Sequence, residues 1–397
     1  MPPRRRQALE MAGAAALLGV LGGCSSVAPT AGSSAAGTGN AANARRLQLA
    51  PLQATTDRIT AVTVCTRPFR AQGPRLDVER IGEQTVVHNY GHGGSGWSLS
   101  WGSGSIAVAH AMATGERHIG VLGCGALGLT AALLAQRAGA DVTIYARELP
   151  PQTRSTLASG VWTPDSRICL EASATPEFRG RWEAMTRDSF RNFQSLLGLA
   201  DAPIEFYDIY MVSDGPDLRR RPPDPADTRP RFAELKHALI DDLIPDVTDY
   251  APGEHPFGER HVRRSTSLMF NLAAYQRLLL AEFHANGGRI EVREFGTPAD
   301  LAALPQRTLI NATGYGARAL FGDTSLVPVR GQIARMIPQT DIRYGLFYRN
   351  ISFVPRRDGM VFQDVGPNDY FGFDDDSLDP HRAEAENAVR TIASLYA

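Results

Sequence analysis

HIGVLGCGALGLTAALLAQRAGADVTIYARE, residues 118–148, decides the fold. An apolar run over residues 119–122 leads into glycines at positions 123, 125 and 128. Alanines and leucines follow to about Ala138, and Gly139 is placed to end the helix that they predict. A second apolar run, residues 142–146, ends at an arginine and a glutamate. This order predicts a strand, a tight turn, a helix and a parallel strand, which together form a βαβ unit.

Each glycine of GCGALG has its own physical role. Gly123 allows the tight turn, Gly125 lets a phosphate approach the backbone, and Gly128 lets the helix pack closely on the strand. The first helical residues, Ala126 and Leu127, present unpaired N–H groups at the positive end of the helix dipole. The turn therefore predicts a site for the pyrophosphate of a dinucleotide.

Two further features bear on which dinucleotide binds. Glu148 stands where an acid accepts a hydrogen bond from the ribose of the cofactor. Arg147 beside it is a candidate to bind the 2′-phosphate of NADP. NADP and FAD therefore both remain candidates at this point. TLINATGYGAR, residues 308–318, is a short apolar strand that ends in Ala-Thr-Gly at Gly314. In flavin-binding doubly wound proteins a late strand of this kind returns beside the first loop and closes the cofactor site.

Composition places the chain in an ordinary globular class. Its 397 residues are 43% hydrophobic and 21% charged, with a net charge of −1. That balance gives no general attraction to nucleic acid, so no nucleic-acid partner is expected. No cysteine or histidine spacing matches a metal site. Cys124 is expected to be a small buried filler, and pairing of Cys65 with Cys169 is left open.

The first 24 residues resemble the signal of a bacterial lipoprotein. A basic start leads into an apolar run of 11 residues and then LGGC, in which Cys24 would carry the lipid. Arg5 and Arg6 resemble a twin-arginine signal. The prediction is export and lipid anchoring in the cell envelope, on the periplasmic face of the outer membrane in a Gram-negative cell. A plain secretory signal and a misplaced start codon are the alternatives, and residues 25–58 read as a low-complexity tether.

HNYGHGGSGWSLSWGSGS, residues 88–105, is a second glycine-rich stretch and lies upstream of the first. Its His-Gly-Gly could be the oxyanion loop of a hydrolase. That reading requires a Gly-x-Ser-x-Gly elbow downstream with an acid and a histidine after it. The sequence contains no such elbow, so hydrolysis is disfavoured.

Four stretches together resemble the D-amino-acid oxidase family of FAD enzymes. They are HNYGHGGSGWSLSWG (residues 88–102), RELPPQTRSTLASGVWTP (147–164), INATG (310–314) and VRGQI (329–333). The resemblance implies an α/β fold in which a doubly wound, Rossmann-type FAD domain carries a mixed-sheet substrate domain. It also implies FAD as the cofactor. The two glycine-rich stretches then become parts of one flavin site.

The order of these blocks is unusual. The block that starts at Thr66, and the signature that follows it, normally come near the C-terminus of the family, whereas here they precede the first glycine loop. The chain therefore resembles a circular permutant, which compact domains with neighbouring termini tolerate. The resulting domain prediction assigns residues 59–170 and 301–330 to the FAD domain and residues 171–300 and 331–397 to the substrate domain.

The resemblance also implies roles for individual residues. Arg67 matches the arginine that binds the substrate carboxylate, Gly94 the glycine whose carbonyl accepts the substrate ammonium, and Tyr348 a tyrosine that contacts the carboxylate. A second family tyrosine is Ser352 here, and Tyr370 is a candidate substitute. Further positions expected at the flavin, besides those of the first loop, are Gly93, Gly96, Trp97, Ser98, Ser155, Thr156, Gly160 and Trp162.

Two histidines, His88 and His92, stay outside the predicted catalytic set. Transfer of a hydride to flavin needs no side-chain base, and a histidine inside a glycine loop is more often structural. Ser98 is different, because its hydroxyl matches a donor to the flavin O2 atom.

The expected activity is oxidation of D-amino acids to imino acids, with oxygen reduced to hydrogen peroxide. Glycine, sarcosine or D-aspartate as substrate, and a quinone as acceptor, are alternatives within the same chemistry. An acidic substrate would need a second cation, for which Arg349 and Arg356 are candidates. A lipoprotein that binds a nucleotide without turnover is the alternative outside enzymology. The oligomeric state is not predicted.

Overall fold

The computed structural model describes residues 46–218 and 226–397. The predicted signal, Cys24 and most of the predicted tether lie outside the described residues. The strands are β1 Ile59–Arg70, β2 Val78–Ile81, β3 Gln84–His88, β4 His118–Leu122, β5 Asp141–Ala146, β6 Ile204–Ser213, β7 Thr248–Tyr250, β8 His261–Phe270, β9 Arg289–Val292, β10 Thr308–Asn311, β11 Leu326–Met336, β12 Tyr344–Tyr348, β13 Ile351–Val354 and β14 Met360–Asp364.

The α-helices alternate with these strands through most of the chain. They are α1 Gly96–Met112, α2 Ala126–Arg137, α3 Pro176–Gln194, α4 Lys236–Leu239, α5 Leu272–Ala285, α6 Ala317–Leu320 and α7 Arg382–Ala393. Within residues 46–218 and 226–397, none of them combines the length and hydropathy that crossing a bilayer requires.

The smaller sheet is built around the predicted βαβ unit. Its strand order is β2-β3-β10-β4-β5-β9. The strands β3, β10, β4, β5 and β9 run parallel, and β2 is antiparallel at one edge. The predicted helix follows β4 as α2, and Gly139, at φ +86°, ends it in a backbone conformation that glycine adopts freely. The interior of β4 and β5 is buried and, apart from Thr143, free of polar side chains other than the Tyr145 hydroxyl, as parallel strands covered by helices require.

The larger sheet is mixed and has the order β1-β11-β14-β13-β12-β6-β8-β7. The pair β12–β6 is parallel, and the other neighbours are antiparallel. One face packs on α7 through an apolar cluster that includes Leu346, Phe353, Phe362 and Val389. The mixed α/β prediction with two sheets is therefore confirmed.

The sheet membership of β1 differs from the predicted domain boundaries. Residues 59–70 were expected in the dinucleotide domain, but β1 pairs with β11 along most of its length in the larger sheet. The strand β9 shows the converse, because it joins the smaller sheet from within the range predicted for the substrate domain. Pairing between strands that lie more than 250 residues apart leaves no local pattern in the sequence.

Residues near the two ends of the described chain lie close together. The Tyr344 hydroxyl contacts the Tyr396 hydroxyl at 2.5 Å and donates to the Ala50 carbonyl at 2.6 Å. The Arg382 guanidinium donates to the Thr56 carbonyl at 3.2 Å. The turn between α1 and β4 is exposed around Gly115. Joining the two ends and opening the chain at this turn tests the circular permutation directly.

A re-ordered chain would start at Glu116, join Ala397 to Leu47 through a short glycine–serine linker, and end at Gly115. We expect it to fold, because the join connects neighbouring ends and the new opening lies in an exposed turn. Its free energy of unfolding should lie within about 1 kcal/mol of the parent, since closure entropy changes slowly with loop length. Urea unfolding followed by circular dichroism measures this.

The matched control opens the chain between Val121 and Leu122, inside β4. That opening breaks a buried central strand, so the product should fail to fold. If the Glu116 variant also failed to unfold cooperatively, the block order would not be a simple permutation.

Candidate functional site

Three glycine-containing loops meet at one edge of the smaller sheet. The parallel strands β3, β4 and β10 all end at this edge, and each is followed by one of the loops singled out in the sequence. A cavity of about 730 Å³ opens there and continues to the larger sheet. The carboxyl edge of a parallel sheet is where doubly wound proteins bind their ligands.

The glycines of the first loop are required by close contacts. Gly123 has φ +104°, and a Cβ on it would stand 2.6 Å from the Ala312 carbonyl oxygen. A Cβ on Gly125 would stand 2.7 Å from the Ser155 hydroxyl. A Cβ on Gly128 would overlap the Gly123 carbonyl oxygen. The loop therefore forms a cradle of bare backbone, and a side chain at any of these positions would displace its neighbours.

The cradle suits an anion. The Ala126 N–H, at the start of α2, donates to the Ser155 hydroxyl at 3.0 Å. Arg154 lines the same part of the cavity, and its Nη1 is buried with no hydrogen-bond partner among the described residues. The positive end of the helix dipole and an unpartnered guanidinium nitrogen together favour a phosphate group.

The far end of the cavity carries both members of the predicted Arg147–Glu148 pair. The Arg147 guanidinium donates to Glu148 at 3.2 Å and to Glu294 at 3.0 Å. Its hydrogen bond to Glu294 raises the pKa of Arg147 above its ordinary value. Two carboxylates beside Arg147 oppose a 2′-phosphate by charge, which weighs against the NADP alternative. Arg293 lies over the Phe295 ring at 5.3 Å beside them.

Arg67 stands at the other end of the cavity, on β1. Its Nη1 donates to the Arg330 carbonyl at 3.0 Å. Its guanidinium covers Gly331, where a Cβ would lie 2.5 Å from Nη2. Across residues 46–218 and 226–397, no carboxylate forms an ion pair with Arg67. The group is thus an unneutralised cation in a half-buried position.

His92 also lines the cavity, although it was left out of the predicted catalytic set. It is 1% exposed, and neither ring nitrogen has a hydrogen-bond partner among the described residues. Burial lowers the pKa of His92 to about 3, so its ring is neutral at physiological pH. A neutral ring in this position can donate or accept one hydrogen bond to a bound molecule.

His88 has a structural role. Its ring contacts Glu79 at 2.9 Å and the Asn311 side chain at 3.1 Å, which joins β2, β3 and β10. Burial lowers the pKa of His88.

The three described cysteines are all free and buried. Cys65 and Cys169 are therefore unpaired with each other. Cys124 is 2% exposed, as expected of a buried filler, and burial raises its pKa to about 12. Burial also raises the pKa of Cys169 to about 12. Within the described ranges, no cluster of three or more acid, histidine or cysteine side chains is arranged to hold a metal ion.

The structure brings most of the predicted site residues to this one cavity. Those that line it are Arg67, Gly93, Gly94, Gly96, Trp97, Gly123, Gly125, Ala126, Leu127, Arg147, Glu148, Ser155 and Gly314. Trp97 also donates from its indole nitrogen to the Ser155 carbonyl at 2.8 Å, which ties the upstream glycine loop to the phosphate end. The two glycine-rich stretches of the sequence therefore belong to one site.

Tyr348 is not among the lining residues. It is 1% exposed within the core cluster that packs on α7, and its hydroxyl donates to Asp214 at 2.9 Å. Tyr370 is also absent from the lining, and its hydroxyl donates to the Pro230 carbonyl at 2.6 Å. In the described structure neither predicted tyrosine faces Arg67.

Five other predicted residues lie one layer behind the cavity wall. Gly128 packs under the first loop, and the Ser98 hydroxyl accepts the Thr163 N–H at 2.8 Å. Thr156, Gly160 and Trp162 are buried. The Thr156 hydroxyl donates to Gln276 at 2.9 Å, and a Cβ on Gly160 would meet the Phe270 carbonyl. These residues can support the wall but do not line it in this structure.

Comparison with known proteins identifies the family of the chain's larger part. Residues 118–397 match the model of the DAO family, described as FAD dependent oxidoreductase. A D-amino-acid oxidase of Rubrobacter xylanophilus is 29% identical over 280 residues, which cover 69% of this chain and 76% of that protein. A D-amino-acid oxidase of Dictyostelium discoideum is 26% identical over 290 residues, covering 69% and 72% respectively.

Solved structures show weaker likeness. Glycine oxidase from Geobacillus kaustophilus aligns with a TM-score of 0.44 at 13% identity, over 62% of this chain and 71% of that one. L-amino acid deaminase from Proteus vulgaris aligns with a TM-score of 0.38 at 12% identity, over 63% and 60%.

Substitution of Gly128 by alanine tests the cradle. The added Cβ would overlap the Gly123 carbonyl, so β4 and α2 must separate. We expect a loss of about 1–3 kcal/mol in unfolding free energy and weaker binding of added FAD. Gly180→Ala is the control, because Gly180 lies on α3 outside the cavity and its Cβ would meet nothing within 4 Å. Equal FAD affinity in the two variants, measured by fluorescence quenching, would contradict a cofactor role for the loop.

Proposed function

The chain belongs to the FAD dependent oxidoreductase family, and from that premise we propose that it oxidises D-amino acids. The products would be imino acids, which hydrolyse to 2-oxo acids and ammonia, together with hydrogen peroxide from oxygen. The two D-amino-acid oxidases that it resembles support this substrate class.

One observation carries the proposal. Arg67 is a cation with no carboxylate partner among the described residues, and it lies in the same cavity as the glycine cradle. Leaving a half-buried guanidinium unneutralised is costly unless a ligand supplies the charge. An arginine binds a carboxylate through two parallel hydrogen bonds, which is the geometry that an amino acid offers.

The residues of the cavity fit FAD. Gly123, Gly125 and the start of α2 would hold the pyrophosphate with Arg154, and Glu148 would hold the ribose. Gly93 and Gly94 line the cavity with bare backbone, and a Cβ on either would meet Ser166 or Arg167 behind them. The flavin ring would lie against this backbone. FAD, when bound, accepts the hydride from the substrate Cα and passes the electron pair to oxygen.

The chain's own residues would bind and orient the substrate. Arg67 would fix the carboxylate, and the Gly94 carbonyl oxygen would accept a hydrogen bond from the amino group. Two fixed points restrict the Cα to two placements, which exchange its hydrogen and its side chain, and the cavity wall would select between them. Pro68 and Ile333 line the same region and reduce its water content. No side-chain base is needed for transfer of a hydride, and the lowered pKa of His92 makes its ring a weak base.

Neither arginine named as a second cation for D-aspartate reaches the cavity. Arg356 is 1% exposed, forms an ion pair with Asp358 and donates to the Ala158 carbonyl at 2.7 Å. Arg349 is paired with Asp214 at 2.9 Å. Neither arginine lines the cavity, so neither is a second cation for an acidic side chain.

We also propose that the block order reflects circular permutation. The family match begins at His118, at the start of β4, and runs to the end of the chain. The preceding block nevertheless supplies Arg67, Gly93 and Gly94 to the same cavity. A block outside the matched range that completes the matched site supports a permuted order.

The location of the protein is likewise a proposal. The signal-like start and the LGGC stretch favour export and a lipid on Cys24. Both features lie outside the described residues.

Substitution of Arg67 by alanine tests the activity. The variant should keep its yellow flavin and lose about 10²- to 10³-fold in kcat/KM, because it removes one partner of a buried charge pair. Arg80→Ala is the control, since Arg80 is an exposed arginine that donates to Thr85. Anaerobic bleaching of the visible spectrum by a mixture of D-amino acids measures the rate, with the L-mixture beside it.

Two outcomes would contradict the proposal. A yellow parent protein that neither mixture reduces would keep the flavin site and remove the D-amino-acid assignment. A parent that stays colourless after FAD is added would remove both.

Substitution of Cys24 by serine tests the anchor. The parent, expressed in a Gram-negative host, should sediment with outer membranes and take up a radiolabelled fatty acid. Cys24→Ser should do neither, because serine lacks the thiol that carries the lipid. Cys65→Ser is the control, as Cys65 lies in the folded part of the chain. Equal labelling of the parent and Cys24→Ser would refute the lipoprotein assignment.

A further inference from the structure

Gln363 occupies a position in the cavity that the sequence did not point to. It lies on β14, lines the cavity and is 6% exposed. Its carboxamide makes no hydrogen bond to any residue that the structure describes. Because no described residue pairs with the Gln363 amide, a molecule or water in the cavity is the group left to form its hydrogen bonds.

Strand register places Gln363 beside Arg67. Ala334 on β11 lies opposite Phe362 on β14, so the next residues, Ile333 and Gln363, stand side by side on the other face of the sheet. Ile333 lines the cavity as well. Gln363 therefore projects from the same face of the larger sheet that carries Arg67.

The separation of the two polar groups suits a single carboxylate. The Arg67 guanidinium covers Gly331, two residues from Ile333 on β11. Two residues along a strand span about 6.6 Å, and the neighbouring strand is about 4.8 Å away. The Cα of Gln363 thus lies about 8 Å from that of Gly331. The side chains of Gln363 and Arg67 therefore extend over the same part of the sheet face.

The sheet also shows where a replacement for a lost tyrosine would stand. The resemblance aligns Ser352 with the second family tyrosine, and serine lacks the reach of a tyrosine. Ser352 lies directly opposite Gln363 on the neighbouring strand β13. Tyr348 projects to the opposite face of the sheet, into the cluster against α7. Gln363 is the long polar side chain at this place.

We propose that Gln363 is the second donor to the substrate carboxylate, acting together with Arg67. The Nε2 amide would donate to one carboxylate oxygen while Arg67 binds the group as a charged partner. This inference rests on the proposed function, because it takes a carboxylate as the ligand of the cavity. It assigns Gln363 as a substrate-binding residue.

The test uses the FAD-loaded protein and two non-oxidisable probes. Propionate presents a carboxylate, and propionamide presents the same shape without the charge. Dissociation constants come from perturbation of the flavin spectrum or, where the spectrum does not change, from competition with D-alanine turnover. The variants are Gln363→Leu, which removes the amide, and Gln363→Glu, which keeps its shape and adds negative charge. Ser352→Ala is the matched control on the facing strand.

We expect variants at Gln363 on β14 and at Ser352 on β13 to behave differently. Gln363→Leu should weaken propionate about 10- to 100-fold, the usual contribution of a hydrogen bond to a charged group, and should leave propionamide within twofold. Gln363→Glu should weaken propionate further, because it repels a carboxylate. Ser352→Ala should leave both constants within twofold. Equal FAD content and equal melting temperature in each variant show that the fold is intact.

Several results would overturn the proposal. One is a propionate constant in Gln363→Leu that stays within twofold of the parent. A second is that Gln363→Leu loses as much affinity for propionamide as for propionate, which would mean that Gln363 only shapes the pocket. A third is a loss in Ser352→Ala as large as in Gln363→Leu. In each case the propionate constant of Arg67→Ala distinguishes failure of the Gln363 proposal from failure of the proposed function. If it still weakens propionate, the proposed function stands and only the role of Gln363 fails.

Discussion

Parallel pairing of β10 with both β3 and β4 is the constraint on which the site depends. Thr308–Asn311 aligns with Thr85–His88 on one side and with Ile119–Leu122 on the other. Because the three strands are parallel and in register, their carboxyl ends share one edge. Each end is followed by a glycine-containing loop, so one edge carries all three. Two segments that are separate in the sequence become one binding site through this single strand.

The larger sheet then supplies what the smaller one lacks. The loops of the smaller sheet offer backbone N–H groups and small residues, which suit a cofactor but give little hold on a charged substrate. The large sheet contributes Arg67 and Gln363 from one face. Gly331 makes this possible, because a Cβ there would displace the guanidinium. The cavity is therefore an interface between two sheets, and neither sheet forms it alone.

Sequence patterns predicted the parts of the site that depend on local geometry. GCGALG, Arg147, Glu148 and the Ala-Thr-Gly turn each lie where their spacing placed them, because a strand, a turn and a helix are fixed by neighbours in the chain. Arg67 and Gly94 line the cavity as the resemblance implied. Local sequence patterns did not predict how the strands of the larger sheet pair.

The positions of Tyr348, Gln363 and β1 were not predicted from the sequence, and the cause is common to all three. Side chains alternate between the two faces of a strand, and the strands concerned pair with partners far away in the chain. Successive residues of a strand point to opposite faces, so placing a side chain requires both the register and the face. Tyr348 carries suitable chemistry but projects into the cluster against α7. Gln363 belongs to no motif, yet it projects into the cavity. The membership of β1 in the larger sheet escaped notice for the same reason, since its partner β11 is more than 250 residues away.

The cavity holds several groups that the folded chain leaves without a partner. Arg67 lacks a counter-charge, and Gln363 makes no side-chain hydrogen bond to a described residue. His92 and Arg154 Nη1 are buried without hydrogen-bond partners among the described residues. Each costs stability, whereas Arg356, which lies outside the cavity, is paired with Asp358. Local rules are broken most often at functional sites, where a ligand restores the balance. Binding and folding are then coupled, because a molecule that satisfies these groups stabilises only the folded state. A carboxylate between Arg67 and Gln363 would satisfy two of the four at once, and a neutral molecule of the same shape would leave the cation unpaired.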